Sequence, residues 1–214
     1  QVYSEDFSQW NHNNLTRTDN SITAPDGTQT ATKFVSASGQ QPIIYRSNGN
    51  NGPISIFVKS AGNTHVSLVS EHTQTASRGV QFDLTTGTIT HSQNANGEII
   101  KFPNGWYRLI VKPTTNTALY FVVQPHNGGT PNTGSYFRTT YSANGTDGIY
   151  IWGAQSEVGS FATSYIHTGA SSATRAADVY TSTPNLTETF EPRGLLIEEA
   201  RTNVLPNHND TDQV

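Results

Sequence analysis

Four aromatic or polar side chains have the chemistry to bind a sugar. Tyrosine rings stack on the C–H face of a sugar, and arginine and glutamine side chains hydrogen-bond its hydroxyl groups. Tyr45, Arg108, Tyr120 and Gln124 provide these groups. Alternation in 106–112 and 118–125 predicts a core face that includes Leu109, Val111, Phe121 and Val123, and it places Arg108, Tyr120 and Gln124 on the opposite faces. Tyr45 precedes a loop rich in Asn and Gly. We predict that the four converge on the exposed face of one β-sheet; the alternative is that each is an ordinary solvated residue.

Signals of catalysis are weak in this chain. A glycosidase needs two carboxylates about 5 to 9 Å apart, which positions i and i+2 of a strand would supply, and no predicted strand carries such a pair. The chain has no Gly-x-Ser-x-Gly motif and no cysteine, and its seven histidines include no His-x-x-x-His pair. These features predict a protein that is not an enzyme and has no zinc site, with histidines on the surface or in loops.

Short apolar segments separated by Gly, Asn, Pro and Ser indicate an all-β protein. Turn signals recur roughly every 8 to 12 residues, as in a sandwich or barrel, and outside the C-terminal tail no stretch has a helical period. The fold class we predict is a two-sheet antiparallel β-sandwich. Its predicted strands are 2–7, 30–35, 42–46, 54–60, 65–70, 80–84, 88–91, 98–102, 106–112, 118–125 and 148–157.

Composition limits the partners that this protein is expected to have. Only 13% of the 214 residues are charged and the formal net charge is −4, so no basic stripe for nucleic acid is present. The longest apolar run, 119–123, is too short to insert into a membrane. The chain contains no methionine, which suggests a processed product or a fragment of a longer polypeptide.

Four motifs, in this order, resemble those of one family of modules. They are YSEDFSQW at 3–10, NGWYR at 104–108, IYIWGAQSEVGSFATSYI at 149–166 and GLLIEEARTN at 194–203. Together they are similar to a module of phage tail-fibre and tail-associated proteins, itself similar to the jelly-roll carbohydrate-binding modules of families 4, 9 and 22. The resemblance implies a jelly roll, a framework role for Trp10, Trp106 and Trp152, and an extracellular or virion location.

The same resemblance implies one structural calcium ion. These families commonly hold calcium beside the first and last strands, and calcium prefers six to eight oxygen ligands. Glu5, Asp6 and Glu157 lie at the matching ends of this chain and are the predicted ligands. The segment 149–155 lacks the acidic residue that the families usually have in the last strand, so this chain departs from their pattern.

The predicted domain organisation is a β-sandwich over 1–167 followed by a linker or edge-wrapping segment over 168–214. The segment 194–203 is either a joint to a further domain or a terminal arm of the same one. Two functions remain open. The first is a non-catalytic module that docks onto surface polysaccharide, with a homo-oligomer supplying avidity; the alternative is a structural domain that contacts neighbouring virion subunits without a sugar ligand.

Overall fold

A computed structural model describes residues 2–47, 52–71, 77–114, 120–134 and 136–174. The chain divides into two units, Gln1–Arg175 and Ala176–Val214, and every described residue belongs to the first. The predicted boundary at residue 167 therefore lies eight residues before the end of that unit. The predicted joint or arm at 194–203 lies outside the described residues.

Fourteen strands form in the described part of the chain. Ten of the predicted strands overlap observed ones, and the all-β prediction is confirmed. The strands are β1 Asn11–Asn13, β2 Leu15–Ile22, β3 Ala31–Ser36, β4 Ile43–Ser47, β5 Ile54–Ala61, β6 His65–Glu71, β7 Arg78–Asp83, β8 Thr88–Gln93, β9 Ala95–Lys101, β10 Trp106–Pro113, β11 Tyr120–His126, β12 Pro131–Asn132, β13 Arg138–Thr139 and β14 Gly148–Ser156.

Two six-stranded sheets account for the architecture. Sheet A has the order β1-β4-β11-β6-β7-β8, and sheet B has the order β2-β3-β14-β5-β10-β9. Strands β12 and β13 form a separate two-stranded sheet. All the neighbouring strands pair antiparallel, and the predicted two-sheet sandwich is confirmed. The finer assignment as a jelly roll stays a prediction.

Helical structure is confined to short turns among the described residues. Phe7–Gln9 and Pro103–Gly105 are 3₁₀ helices of three residues each. None of the helices that the structure describes has the length and apolar character needed to cross a bilayer.

The core lies between the two sheets and contains the residues that alternation predicted. In β10, Leu109 and Val111 point into it, and in β11, Phe121 and Val123 do so. All four are 0% exposed. Alternation thus predicts which face of each strand is core, because successive side chains of a strand point to opposite sides.

The N-terminal segment differs from the prediction of a strand over 2–7. It runs irregularly into the Phe7–Gln9 helix, and the edge strands β1 and β2 follow it. Neither edge strand was predicted, because β1 is Asn-His-Asn and β2 contains Asp19 and Asn20, and Asn and Asp are depleted in strands. An edge strand with two solvent-accessible sides needs little apolar pattern.

Hydrogen bonds replace strand pairing in this segment. The Tyr3 N–H donates to Gly169 O (2.7 Å), and the Ser4 N–H donates to Thr168 O (3.0 Å). On the other side, the Ala154 N–H of β14 donates to Ser4 O (2.8 Å). The N-terminal segment is therefore held between β14 and the chain that follows it.

Gly153 shapes the end of β14. Its φ is 61°, and the pairing of β14 with β5 shifts register between Trp152 and Gln155. A Cβ atom on Gly153 would lie 3.1 Å from Phe57 Cδ2 and 3.2 Å from Tyr165 Cε2. The bulge brings the Tyr165 ring within 4.5 Å of the Trp152 ring, measured between centroids. Glycine is needed here both for the positive φ and for the close approach of the aromatic rings.

We expect Gly153→Ala to lower the free energy of unfolding by about 2 to 5 kcal/mol. The alanine would be strained in the left-handed backbone conformation, and its Cβ atom would also overpack the aromatic rings. Gly27→Ala is the matched control: Gly27 also has a positive φ, 90°, but no atom lies within 4 Å of its Cβ position. The control should lose only about 1 to 2 kcal/mol. Equal losses in urea unfolding would show that the ring contacts at Gly153 contribute nothing.

Candidate functional site

Arg108 lies buried on the side of sheet B that faces away from the core. It is 7% exposed, and its guanidinium donates hydrogen bonds to Ser55 Oγ (2.9 Å) and Thr163 O (2.6 Å). The group also lies 5.6 Å from the Phe57 ring centroid. Burial lowers the pKa of Arg108, an effect that the negative charge of Glu157 opposes. The prediction that Arg108 is exposed on a binding face is wrong; it anchors the segment that follows β14.

Gln124 is likewise buried, on the outer side of sheet A. It is 2% exposed. Its side-chain amide donates to Thr139 O (2.9 Å) and accepts from the Thr139 N–H (3.1 Å). These two bonds attach β13 to the sheet. The amide is thus used by the protein's own backbone, and the prediction that it faces solvent is wrong.

Tyr45 and Tyr120 lie on that same outer side of sheet A. In register, Tyr45 pairs with Val122 and Tyr120 with Ser47. Tyr45 is half-buried against a cluster that contains Val122 and Phe137, whereas Tyr120 is 37% exposed. Because Arg108 belongs to sheet B, the structure does not bring the four predicted residues together. Their predicted convergence on one exposed sheet face is wrong.

The predicted calcium ligands do not form one site. Glu157 accepts hydrogen bonds from Gln155 Nε2 (2.7 Å) and from the Thr163 N–H and hydroxyl (2.9 and 2.6 Å to its two oxygens). Among the described residues, no three His, Asp or Glu side chains are grouped to hold a metal. The three acids are thus not grouped as one cluster of side chains. A structural calcium ion held by carboxylate and backbone oxygens stays a prediction.

An open cleft of about 470 Å³ lies between the N-terminal segment, β2, the start of β3 and residues 167–169. We call it the N-terminal cleft. Its lining combines acidic, amide and hydroxyl groups with one tyrosine ring, and apolar atoms of these residues contribute more than half of its surface. The lining residues are Tyr3, Glu5, Asp6, Ser8, Asp19, Asn20, Thr30, Thr32, His167, Thr168 and Gly169.

Hydrogen bonds fix the acidic side chains of the N-terminal cleft. Tyr165 donates its hydroxyl proton to Glu5 Oε1 at 2.7 Å, and burial raises the pKa of Tyr165 well above its usual range, so this donor stays protonated. Asp6 Oδ1 accepts from the Ser8 N–H at 3.0 Å. Asp19 pairs with Arg17 at 3.1 Å. The acidic groups are thus held in place by residues that are themselves packed or bonded.

The Tyr3 ring forms the aromatic part of the cleft. Tyr3 has a φ of 55°, an uncommon value for a non-glycine residue, and the Arg46 guanidinium lies 4.9 Å from its ring centroid. The Trp10 indole N–H donates to Tyr3 O at 3.0 Å. The ring is therefore fixed by contacts on its backbone and on its π face.

Sequence reasoning identified only Glu5 and Asp6 of this cleft, as metal ligands. Tyr3, Asp19 and Asn20 were missed because the cleft is made by an irregular segment and an edge strand, where alternation gives no signal. Neither the family-model comparison nor the comparison with curated proteins found a match for this chain.

His126 corrects the prediction that the histidines lie on the surface or in loops. It is 0% exposed at the end of β11. The Gly128 N–H donates to Nδ1 (3.1 Å), which leaves the ring proton on Nε2 facing Ser67 Oγ at 3.1 Å. Burial, assisted by the neighbouring His65, lowers the pKa of His126 to about 3. The ring is therefore neutral in the folded protein.

The depressed pKa of His126 predicts acid lability. The unfolded chain takes up a proton near pH 6.5 and the folded chain only near pH 3, so the stabilisation is complete above pH 6.5 and declines as the pH falls through that window. The slope is at most about 1.4 kcal/mol per pH unit. The variant His126→Gln lacks this contribution to the pH dependence of the free energy of unfolding. The difference in the free energy of unfolding between the parent and the variant should therefore become smaller as the pH falls from 7 to 4.5.

His167→Gln provides the control, because His167 is exposed. Urea unfolding at several pH values should give this variant the parent's pH dependence. A constant gap between the parent and His126→Gln across pH 4.5 to 7 would contradict the assignment of His126 as the acid-sensitive group.

Proposed function

We propose that this domain is a non-catalytic glycan-binding module and that the N-terminal cleft is its binding site. The carrying observation is the lining of the cleft, where one fixed tyrosine ring stands among carboxylate, amide and hydroxyl side chains. Sugars present the complementary pair of surfaces, a C–H face and a set of hydroxyl groups that donate and accept. The proposed partner is a cell-surface polysaccharide, and the proposed location of the module is extracellular or on a virion.

Hydrogen-bonding capacity in the cleft supports a polar ligand. Glu5 Oε2 and Asp6 Oδ2 accept no hydrogen bond from any residue that the structure describes. Asn20 and Ser8 are exposed at the cleft. In contrast, the polar groups of Arg108 and Gln124 are bonded to the protein's own backbone. A hydroxyl-rich ligand would find free acceptors in the cleft.

A glycan array followed by calorimetry tests this site. We expect affinities of roughly micromolar to millimolar for a single shallow, wet site. Tyr3→Ala should weaken retention at least about tenfold, because the ring supplies the stacking surface. Tyr120→Ala is the matched control, since it removes an exposed tyrosine from sheet A. Loss of binding in Tyr120→Ala with full binding in Tyr3→Ala would place the site on sheet A instead.

A structural or assembly role is the second candidate, and a specific surface favours it. Val158 is 87% exposed and Phe161 is 66% exposed, within one loop after β14. The ends of this loop are joined by the bonds from Thr163 to Glu157. Exposed apolar groups on a fixed loop are typical of protein contacts.

An assembly role predicts that this loop mediates self-association or contact with a neighbouring subunit. Sedimentation of the full chain should then show oligomers that Phe161→Ser dissociates at least partly, because the substitution removes the apolar contact. Ile89→Ser is the control, since Ile89 is also exposed, at 40%, but lies on β8. A monomer at high concentration, unchanged by either substitution, would count against self-association.

A further inference from the structure

Charge around the N-terminal cleft is unevenly distributed. Three of its lining side chains are acidic, namely Glu5, Asp6 and Asp19. Only Asp19 has a salt-bridge partner, Arg17 at 3.1 Å. Among the described residues, Glu5 and Asp6 form no salt bridge, and their hydrogen bonds come from neutral hydroxyl and peptide groups. Within the described part of the chain, no paired cation therefore neutralises these two carboxylates.

The cationic groups near the cleft are already directed elsewhere. Arg46 lies over the Tyr3 ring and donates to Gln9 O, and Arg17 is bonded to Asp19 and to Phe7 O. His167 lines the cleft as its remaining basic side chain. An anionic ligand would meet Glu5 and Asp6, and no arginine or lysine of the described residues lines the cleft to offset them.

We propose that the cleft selects saccharides by charge and that its preferred ligands are glycans carrying free amino groups. This inference rests on the function proposed above, because it concerns the ligand class of the same cleft. A protonated amine on a sugar ring can donate to Glu5 Oε2 or Asp6 Oδ2, the two carboxylate oxygens that no described residue occupies. Uronic acid polymers bring like charge to the same oxygens and are rejected.

A saccharide amine fits the cleft better than a basic peptide does. The neutral part of the lining consists of the short polar groups of Ser8, Asn20, Thr30, Thr32 and Thr168. Ser8 and Asn20 are exposed and can meet hydroxyls of a sugar ring, whereas Thr32 and Thr168 are buried in the wall of the cleft. The lining has no aliphatic side chain longer than threonine, so the Tyr3 ring and the threonine methyl groups are the apolar surface available to the stem of a lysine. The mixed lining therefore favours a sugar whose hydroxyls and amine are all recognised.

Three hexasaccharides of matched length test the proposal on the full chain: β-1,4-linked glucosamine, its fully N-acetylated form and oligogalacturonate. Binding is measured by calorimetry at pH 6 and low salt, with a chelator present to remove divalent cations. We expect the amino form to bind about three- to tenfold more tightly than the acetylated form, since exposed ion pairs contribute modestly. The advantage should shrink as salt is added, and the galacturonate should bind most weakly.

The double variant Glu5→Gln, Asp6→Asn provides the decisive comparison. Both replacements keep an oxygen for the bonds from Tyr165 and Ser8, so the fold of the segment is retained. The ratio of affinities for the amino and acetylated forms should fall to about one. Glu98→Gln is the control: it removes an acid of β9 that pairs with Lys112 at 3.5 Å, and the ratio should stay at its parental value.

The outcomes separate this proposal from the proposed function. Equal binding of the amino and acetylated forms, still dependent on Tyr3, would overturn charge selection and leave glycan binding intact. Tighter binding of a lysine hexapeptide than of the glucosamine hexamer would overturn the assignment to amino sugars. Binding of none of the three saccharides, with no other glycan retained on an array, would overturn both.

Discussion

The hydrogen bonds of Ser4 are the constraint on which the N-terminal part of the sandwich depends. Ser4 is 1% exposed, and its peptide group bonds to Thr168 on one side and to Ala154 of β14 on the other. Its hydroxyl accepts from the Thr168 N–H (2.8 Å) and lies 2.7 Å from the Tyr165 hydroxyl. One small residue thus joins the N-terminal segment, the last strand and the chain that follows it. A larger side chain at this position would separate all three.

The position of the N-terminal cleft follows from that junction. Tyr3 and Glu5 flank Ser4 in the chain, and Tyr165, which contacts Ser4, also holds Glu5. Each such bond contributes on the order of 1 kcal/mol net, but leaving a buried partner unsatisfied costs more. The junction is therefore cooperative, because loss of one bond leaves a buried donor or acceptor of a neighbouring residue without a partner. Stable presentation of the cleft requires the junction, and Thr168 belongs to both, since it bonds to Ser4 and lines the cleft.

The sequence predicts the strands and the core better than it predicts the surfaces. Alternation in β10 and β11 is a local property, so it correctly assigns Leu109 and Phe121 to the core. Whether the opposite side of a strand meets solvent depends on segments distant in the chain, such as the one carrying Thr139 over Gln124. No periodicity in 120–126 carries that information. The burial of Arg108 depends in the same way on Thr163, which lies 55 residues away in the chain.

Polar side chains on the outer sides of both sheets serve the irregular segments that cover them. A covering segment without regular pairing leaves peptide groups that need partners when they are buried. Gln155 accepts from the Ile166 N–H at 2.7 Å, Gln81 donates to Gly129 O at 3.0 Å, and Gln124 bonds both groups of Thr139. Polar residues facing away from a sandwich core are thus explained by hydrogen bonds to backbone groups before ligand binding is considered.

A better indicator of a ligand site is hydrogen-bonding capacity that the fold leaves unused. Among the carboxylates described above, Glu157 is surrounded by donors, whereas Glu5 and Asp6 each keep one oxygen without a described donor. By that criterion the N-terminal cleft offers acceptors with which this sandwich can make new polar contacts.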